Sequence, residues 1–376
     1  MRPLLLFLLL CGAAAAQPPV YWLLWFDTED YIEPSSDDAA LRLAEGLRER
    51  GVRATFKIVG EKARVLVQRG RTDVLRALAA HDIGYHTEFH SVHPAPAEYL
   101  ACMGLLDGAA EFSRRERGGF LLLEKLFGLP PSCYGQPGNS WAPQVNLALR
   151  AWGVRVYMDD AGQVGFDEQP FWYGGLLYIF NLGRHTVRAD LNDPARLEEA
   201  KRRFDAAAES VRRRGGGVIQ TYYHPTEWVT TEFWDGVNFS HGASPERSEW
   251  KRPRLRTPEA REQAYRIFFE WVDHVRRTPG LRIVTAREAP ALFEPRDAAP
   301  PAGLARRLAE SLDAHEGFSA ADLLLSLLGL EPQHVDGPLR RSTTTWTEPS
   351  IPRPAFERAK RDAADFVRTH GRLPDE

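Results

Sequence analysis

Between Val20 and Phe26 the chain reads Val-Tyr-Trp-Leu-Leu-Trp-Phe, an unbroken apolar run. Alternate side chains of a strand project to opposite sides, so a run that is apolar at every position predicts a strand buried on both faces. The acidic cluster Asp27-Thr28-Glu29-Asp30 follows at its C-terminal end. From Asp37 to Arg50 apolar positions recur at helical spacing and Gly51 closes the segment; Val52 to Val59 then reads as a second strand. A helix is predicted over 72–80. Further strands are predicted over 83–85, 132–134, 154–157, 176–181, 218–223 and 282–284, and helices over 98–115, 142–152, 194–214 and 258–277. Strand and helix alternate through about seven units, which predicts an α/β fold around a parallel sheet, open or closed into a barrel.

After Phe293 the texture changes. Glu294-Pro295 and Ala299-Pro300-Pro301 read as a linker, followed by amphipathic helices over 304–314, 320–328 and 354–369. The expected organisation is a leader over 1–16, a (β/α) domain over 17–295 and a small helical C-terminal region over 296–376. The leader rests on Arg2, the apolar run Leu4 to Leu10 and the small residues Ala13 to Ala16 before Gln17, the layout of an export signal. Its apolar run is too short to span a bilayer. Cys11 raises a lipoprotein alternative, against which stands the bulk of Leu10 just before it. Soluble export, periplasmic or extracellular, is therefore the expectation.

Composition narrows the partners. The 376 residues carry a net charge of -3 with acidic and basic residues interspersed, so no single-sign field points to nucleic acid or an anionic membrane. Beyond the leader only Cys102 and Cys133 remain, too few for a disulfide framework and not spaced as a metal knuckle. The fold must rely on its core.

The chemistry lies at the ends of predicted strands, where α/β folds place their sites. In His86-Thr87-Glu88-Phe89-His90 two imidazoles stand four residues apart and can converge on one cation, with a carboxylate from elsewhere completing the set. A zinc-protease motif is excluded, because Thr87 occupies the position that requires Glu. Hydrolysis at such a cation needs a second carboxylate to accept the proton of water, and Asp27, which follows the first apolar run, is the candidate base. For the metal carboxylate Asp30 is favoured and Glu29 is the rival: Glu29 shares the side of Asp27 if the strand continues, whereas Asp30 serves if the chain turns. His224 ends the run Val218 to Tyr223 and reaches the same rim. His81, His93 and His185 offer no spacing and read as structural.

The segments Phe26-Asp27-Thr28-Glu29-Asp30, Ala54-Thr55-Phe56 with Val59-Gly60, His81-Asp82-Ile83-Gly84-Tyr85-His86-Thr87-Glu88-Phe89-His90 and Tyr223-His224, in that order over about residues 20 to 293, resemble the polysaccharide deacetylases of the NodB-homology, carbohydrate esterase family 4 type. The resemblance implies a distorted (β/α)7-type barrel, a divalent metal, usually Zn2+, with His86 and His90 among its ligands, and removal of N-acetyl groups from amino sugars. The family's two adjacent aspartates are interrupted here by Thr28 and Glu29, so the choice of Asp30 over Glu29 rests on the turn reading. It also implies that His224 is the general acid, with Asp159 or Asp160 orienting it, Asp160 being preferred. The expected partner is a glycan or an N-acylated small molecule.

One departure stands out. Where the family carries an Arg beside its base, this chain has Gly135, in Tyr134-Gly135-Gln136-Pro137-Gly138-Asn139-Ser140-Trp141, which predicts an Asp27 without that cationic partner and with a higher pKa than in a typical member. Gln136 and Asn139 are candidates to orient it, and with Trp141 and Trp234 they are the expected substrate contacts. The loop carrying Trp228, Phe233, Trp234, Phe239 and Trp250 reads equally as a sugar-stacking platform or as a small core. At the C-terminus, Phe318 to Leu323 and Phe356 to Pro374 resemble two halves of a cell-wall-polymer binding repeat, or else simply packing helices.

Overall fold

The computed structural model describes residues 18–162, 168–293, 320–331, 333, 335–340, 347–348 and 350–376. The expected leader, the linker and the helix over 304–314 lie outside the described residues.

Strand β1 (Val20–Thr28) is buried along its whole length. One face, Trp22, Leu24 and Phe26, meets the surrounding helices, while the other, Tyr21, Leu23 and Trp25, points into the interior of the sheet with Cys133, Val156, Met158 and Leu177. Full burial of each large apolar side chain contributes roughly 1.5–3 kcal/mol. The same alternation carries Asp27 inward, immediately beyond Trp25.

The chain continues as α1 (Ser35–Glu49), β2 (Thr55–Ile58), α2 (Gly60–Gln68), α3 (Thr72–Leu78), β3 (Asp82–Tyr85), α4 (Pro96–Leu100), α5 (Leu105–Phe127), β4 (Cys133–Tyr134), α6 (Gln144–Ala151), β5 (Val156–Met158), β6 (Phe171–Tyr173), β7 (Leu176–Ile179), α7 (Leu197–Arg213), β8 (Gly217–Tyr223), α8 (Trp234–Phe239), α9 (Pro258–Val275) and β9 (Leu281–Val284). Strand order is β6-β7-β5-β4-β3-β2-β1-β8, with β9 also on β1. Every pairing is parallel except that of β6 with β7. The segment that follows β7 meets β8 through an isolated parallel bridge, Thr186 to Gln220. The fold is thus mixed α/β around a parallel sheet that curls into a distorted barrel, as expected.

Three elements differ from the sequence reading. Helix α2 follows β2 directly, and its start at Gly60 hides it in the pattern. The helix expected over 98–115 is two helices, and the second continues to Phe127, where Gly128 turns the chain at φ 77°. β6 adds an antiparallel edge. At the C-terminus, helices Ala320–Leu327 and Arg353–His370 are present, and Asp336 links the second of them to the barrel, bridging to Arg372 and pairing with Arg150 of α6. Among the described residues no helix is long and apolar enough to cross a membrane.

Candidate metal centre and active site

β1, β3 and β8 each deliver polar residues to one end of the barrel, immediately past their last apolar pair. Glu29, His86 and His90 are buried, and one ligand atom from each lies within 4.8 Å of the others. The Nε2 atoms of His86 and His90 stand 3.6 and 2.8 Å from Glu29 Oε2. Each ring is fixed from behind. His86 Nδ1 donates to the Gly135 carbonyl at 2.9 Å, and His90 Nδ1 meets the Ser91 hydroxyl at 2.9 Å, which in turn donates to Asp235. With Nδ1 carrying the proton, each Nε2 presents a lone pair beside a carboxylate, the arrangement of metal-ligating imidazoles held by outer partners. Burial lowers the pKa of His86, the direction that favours the neutral form a ligand needs. His90 shifts the other way: burial opposes its charge, but Glu29 and its hydrogen bond overcome this. A positive charge therefore belongs between His90 and Glu29, and the residues fit a divalent cation.

The loop that presents the two histidines is held at several points. Thr87 and His90 adopt left-handed φ values of 63° and 59°, unusual for residues with side chains. The first amides of α2, Gly60 and Glu61, donate to the Thr87 and Glu88 carbonyls at 2.9 Å. From below, Glu116 of α5 accepts the Glu88 amide at 2.7 Å and the Tyr85 hydroxyl at 2.9 Å.

Asp30 is not part of this set, which corrects the favoured reading. Its Oδ1 accepts the Ile32 and Glu33 amides at 3.0 and 2.9 Å and its Oδ2 accepts the Thr226 hydroxyl at 2.9 Å. β1 continues to Thr28, so strand parity sends Glu29 inward after Asp27, and Asp30 closes the turn that follows.

Asp27 lies between the histidines. Its Oδ1 is 3.6 Å from His86 Nε2 and its Oδ2 is 3.6 Å from His224 Nε2. A cationic partner is present after all: Lys57 of β2 places Nζ 2.8 Å from Asp27 Oδ1. Burial raises the Asp27 pKa, but His86, Lys57 and His224 more than offset it, and the net shift is downward. The expectation that Asp27 lacks a cationic partner is thus overturned. Asp159, 3.7 Å from the same Nζ, is pushed up to about 7 by burial and by its nearness to Asp27, against the pull of Lys57.

His224 is oriented by Glu227, not by Asp160. Glu227 Oε1 meets His224 Nδ1 at 3.0 Å and accepts its backbone amide at 2.9 Å, while Oε2 pairs with Arg188, which stacks on Tyr222 and Tyr223. Burial disfavours the imidazolium, yet Glu29, Glu227 and Asp27 push the His224 pKa up to about 9. Asp160 instead bonds the Tyr222 hydroxyl, and burial raises its pKa. Lys57, Glu227 and Arg188 escaped sequence reasoning. The one signal was a lysine set inside an apolar strand.

The expected substrate contacts are mostly engaged elsewhere. Trp234 is fully buried and packs on Tyr31 and His90 at centroid distances of 4.8 and 5.9 Å, so it cannot stack on a sugar. With Phe239 and Trp250 it forms a small core beneath the loop. Gln136 is buried, accepting from Tyr157 at 2.8 Å and donating to the Gly138 carbonyl at 3.1 Å. Trp141 is half-buried and donates to the Tyr178 hydroxyl, and Asn139 is exposed. Phe233, 38% exposed, packs edge-on to His224 at 4.8 Å and is the loop aromatic that faces both the site and solvent. His81 bonds the Ala54 amide and Ala44 carbonyl, His185 the Glu168 carbonyl, and His93 the Glu98 carboxylate.

No protein-family model matches the chain, and no curated protein matches it. Solved structures similar to it include a polysaccharide deacetylase from Mycobacterium smegmatis, described as putative (16% identity, 76% of this chain and 96% of that chain, TM-score 0.47). Others are the 4-alpha-glucanotransferase from Thermococcus litoralis (12% identity, 82% and 50%, TM-score 0.49) and Puue allantoinase (11% identity, 75% and 97%, TM-score 0.43). At these identities and TM-scores the similarities assign no activity.

Proposed function

We propose that the protein is an exported, metal-dependent hydrolase that removes N-acyl groups, acetyl foremost, from a glycan such as a cell-wall or matrix amino-sugar polymer. The observation that carries this reading is the convergence of Glu29, His86 and His90 beside Asp27, which stands 3.6 Å from His86 on one side and 3.6 Å from His224 on the other. Glu29, His86 and His90 would hold the cation, and a set of two imidazoles and one carboxylate suits Zn2+. When bound, a cation there polarises an acyl carbonyl and makes water more acidic.

The remaining steps belong to the chain. Asp27, ionised at neutral pH, takes a proton from water as the water oxygen bonds to the acyl carbon. His224 enters as the imidazolium and gives its Nε2 proton to the amide nitrogen as the carbon–nitrogen bond breaks, releasing a carboxylate and an amine. Glu227 and Arg188 keep that imidazolium charged and aimed.

A rival reading, a glycan-binding protein that keeps the metal site but has lost efficient catalysis with the missing Arg, loses its motive because Lys57 supplies Asp27 with a cation. A second reading, hydrolysis of a non-sugar linear or cyclic amide, draws support from the burial of Trp234 and Gln136, which leaves fewer groups to bind a sugar. The test is acyl release from chitooligosaccharide, peptidoglycan and a panel of small amides by zinc-loaded protein. Wild type should release acetate from a glycan, and Asp27→Asn should lose about 10²–10⁴-fold in rate. Release from small amides alone would favour the second reading, and release from no substrate would refute both.

A further inference from the structure

We propose that Lys57 is the positioning residue of this site: its ammonium, seated in a slot left open by Gly84 and Gly135, anchors one oxygen of Asp27 and leaves the other as the proton acceptor. The inference rests on the reading of Asp27 as the base.

Lys57 lies directly opposite Asp27 in the β1–β2 register, so both side chains enter the barrel at one level. It is completely buried. Its Nζ reaches Asp27 Oδ1 at 2.8 Å, donates to the Met158 carbonyl at 2.8 Å, and stands 3.7 Å from Asp159 and 4.1 Å from the centre of the Trp25 ring. An ammonium so far from water needs such partners, because an unpaired buried charge is costly.

Two glycines, Gly84 on β3 and Gly135 just past the end of β4, make the room. A Cβ on Gly135 would fall 2.2 Å from Lys57 Nζ and 2.8–2.9 Å from its Cδ and Cε. A Cβ on Gly84 would fall 2.9 Å from Lys57 Cγ and 2.5 Å from Cys133 Sγ. Neither glycine has a positive φ, so space and not backbone conformation calls for them. Gly135, which in the sequence marks a missing cation, is thus the vacancy that admits one from another strand. With Oδ1 tied to Lys57, Oδ2 is the Asp27 oxygen that faces His224, 3.6 Å away.

A buried pair that served stability alone would leave turnover unchanged when replaced. The test compares wild type with Lys57→Met, measuring kcat, KM, zinc content and the crystal structure. Should the surplus negative charge prevent folding, Lys57→Met/Asp159→Asn takes its place. The expected result is a fall in kcat of about 100-fold with KM within about threefold, the lower end of what a general base supplies. Zinc content should be unchanged and the Asp27 carboxylate displaced. An undiminished kcat, or a variant structure in which Asp27 keeps its position, would overturn the proposal. If wild type turns over no substrate, the functional reading fails, and the position of Asp27 in the variant structure alone decides the role of Lys57.

Discussion

Glu116 offers a test of how the histidine loop is held. Its carboxylate is buried among Glu88, Tyr85 and Tyr99 with no cation bonded to it among the described residues, and burial pushes its pKa from 4.5 up to about 7, the hydrogen bonds only partly opposing this. Below about pH 4.5 the group is neutral in both folded and unfolded chains. Between 4.5 and 7 the folded chain keeps a proton that the unfolded chain has lost, so stability must fall as pH rises through this window. At about 1.4 kcal/mol per pH unit of difference, the cost above pH 7 is roughly 3 kcal/mol. Glu116→Gln keeps an oxygen for the Glu88 amide and the Tyr85 hydroxyl and turns its NH2 toward the Tyr99 oxygen. The two proteins should therefore be similarly stable at pH 4.5, and the variant should gain about 3 kcal/mol on wild type by pH 8. Urea denaturation of both proteins in chelator across that range measures the difference directly, since the other titrating groups are common to both. A difference that stays constant with pH would refute the assignment of a protonated Glu116.

Glu227→Gln removes the carboxylate at His224 Nδ1, so the imidazolium should lose its proton at lower pH. The alkaline limb of kcat/KM, expected near 9 or below in wild type, should move down by about one pH unit or more. A limb that does not move would separate Glu227 from the acid. Asp30→Ala leaves the Ile32 and Glu33 amides and the Thr226 hydroxyl without their acceptor and should cost about 1–3 kcal/mol of stability in thermal or urea unfolding. Its zinc affinity should stay within a few-fold of wild type.

The strands that carry the site were legible because burial on both faces leaves a continuous apolar signature, as in Val20 to Phe26. The spacing of His86 and His90 carried over directly, since both belong to one short loop. The choice between Glu29 and Asp30 turned on where β1 stops, and strand ends leave little trace in a pattern of apolar residues. Lys57 was hidden for a different reason: its partner lies across a strand pair, and register is fixed by packing between segments distant in sequence. Glu227 reaches His224 through a turn at Pro225 whose geometry no periodicity announces. Trp234 shows the same limit in the core, because a large aromatic in a loop reads alike whether it covers a binding surface or fills the space beneath one.

The central claim is that Glu29, His86 and His90 hold a divalent cation, and equilibrium zinc binding by purified wild type, Glu29→Ala, His86→Ala and Asp30→Ala tests it most directly. About one zinc per chain should bind to wild type and to Asp30→Ala, and binding should be lost or greatly weakened in the other two. Equal zinc content in wild type, Glu29→Ala and His86→Ala, or loss in Asp30→Ala alone, would contradict it.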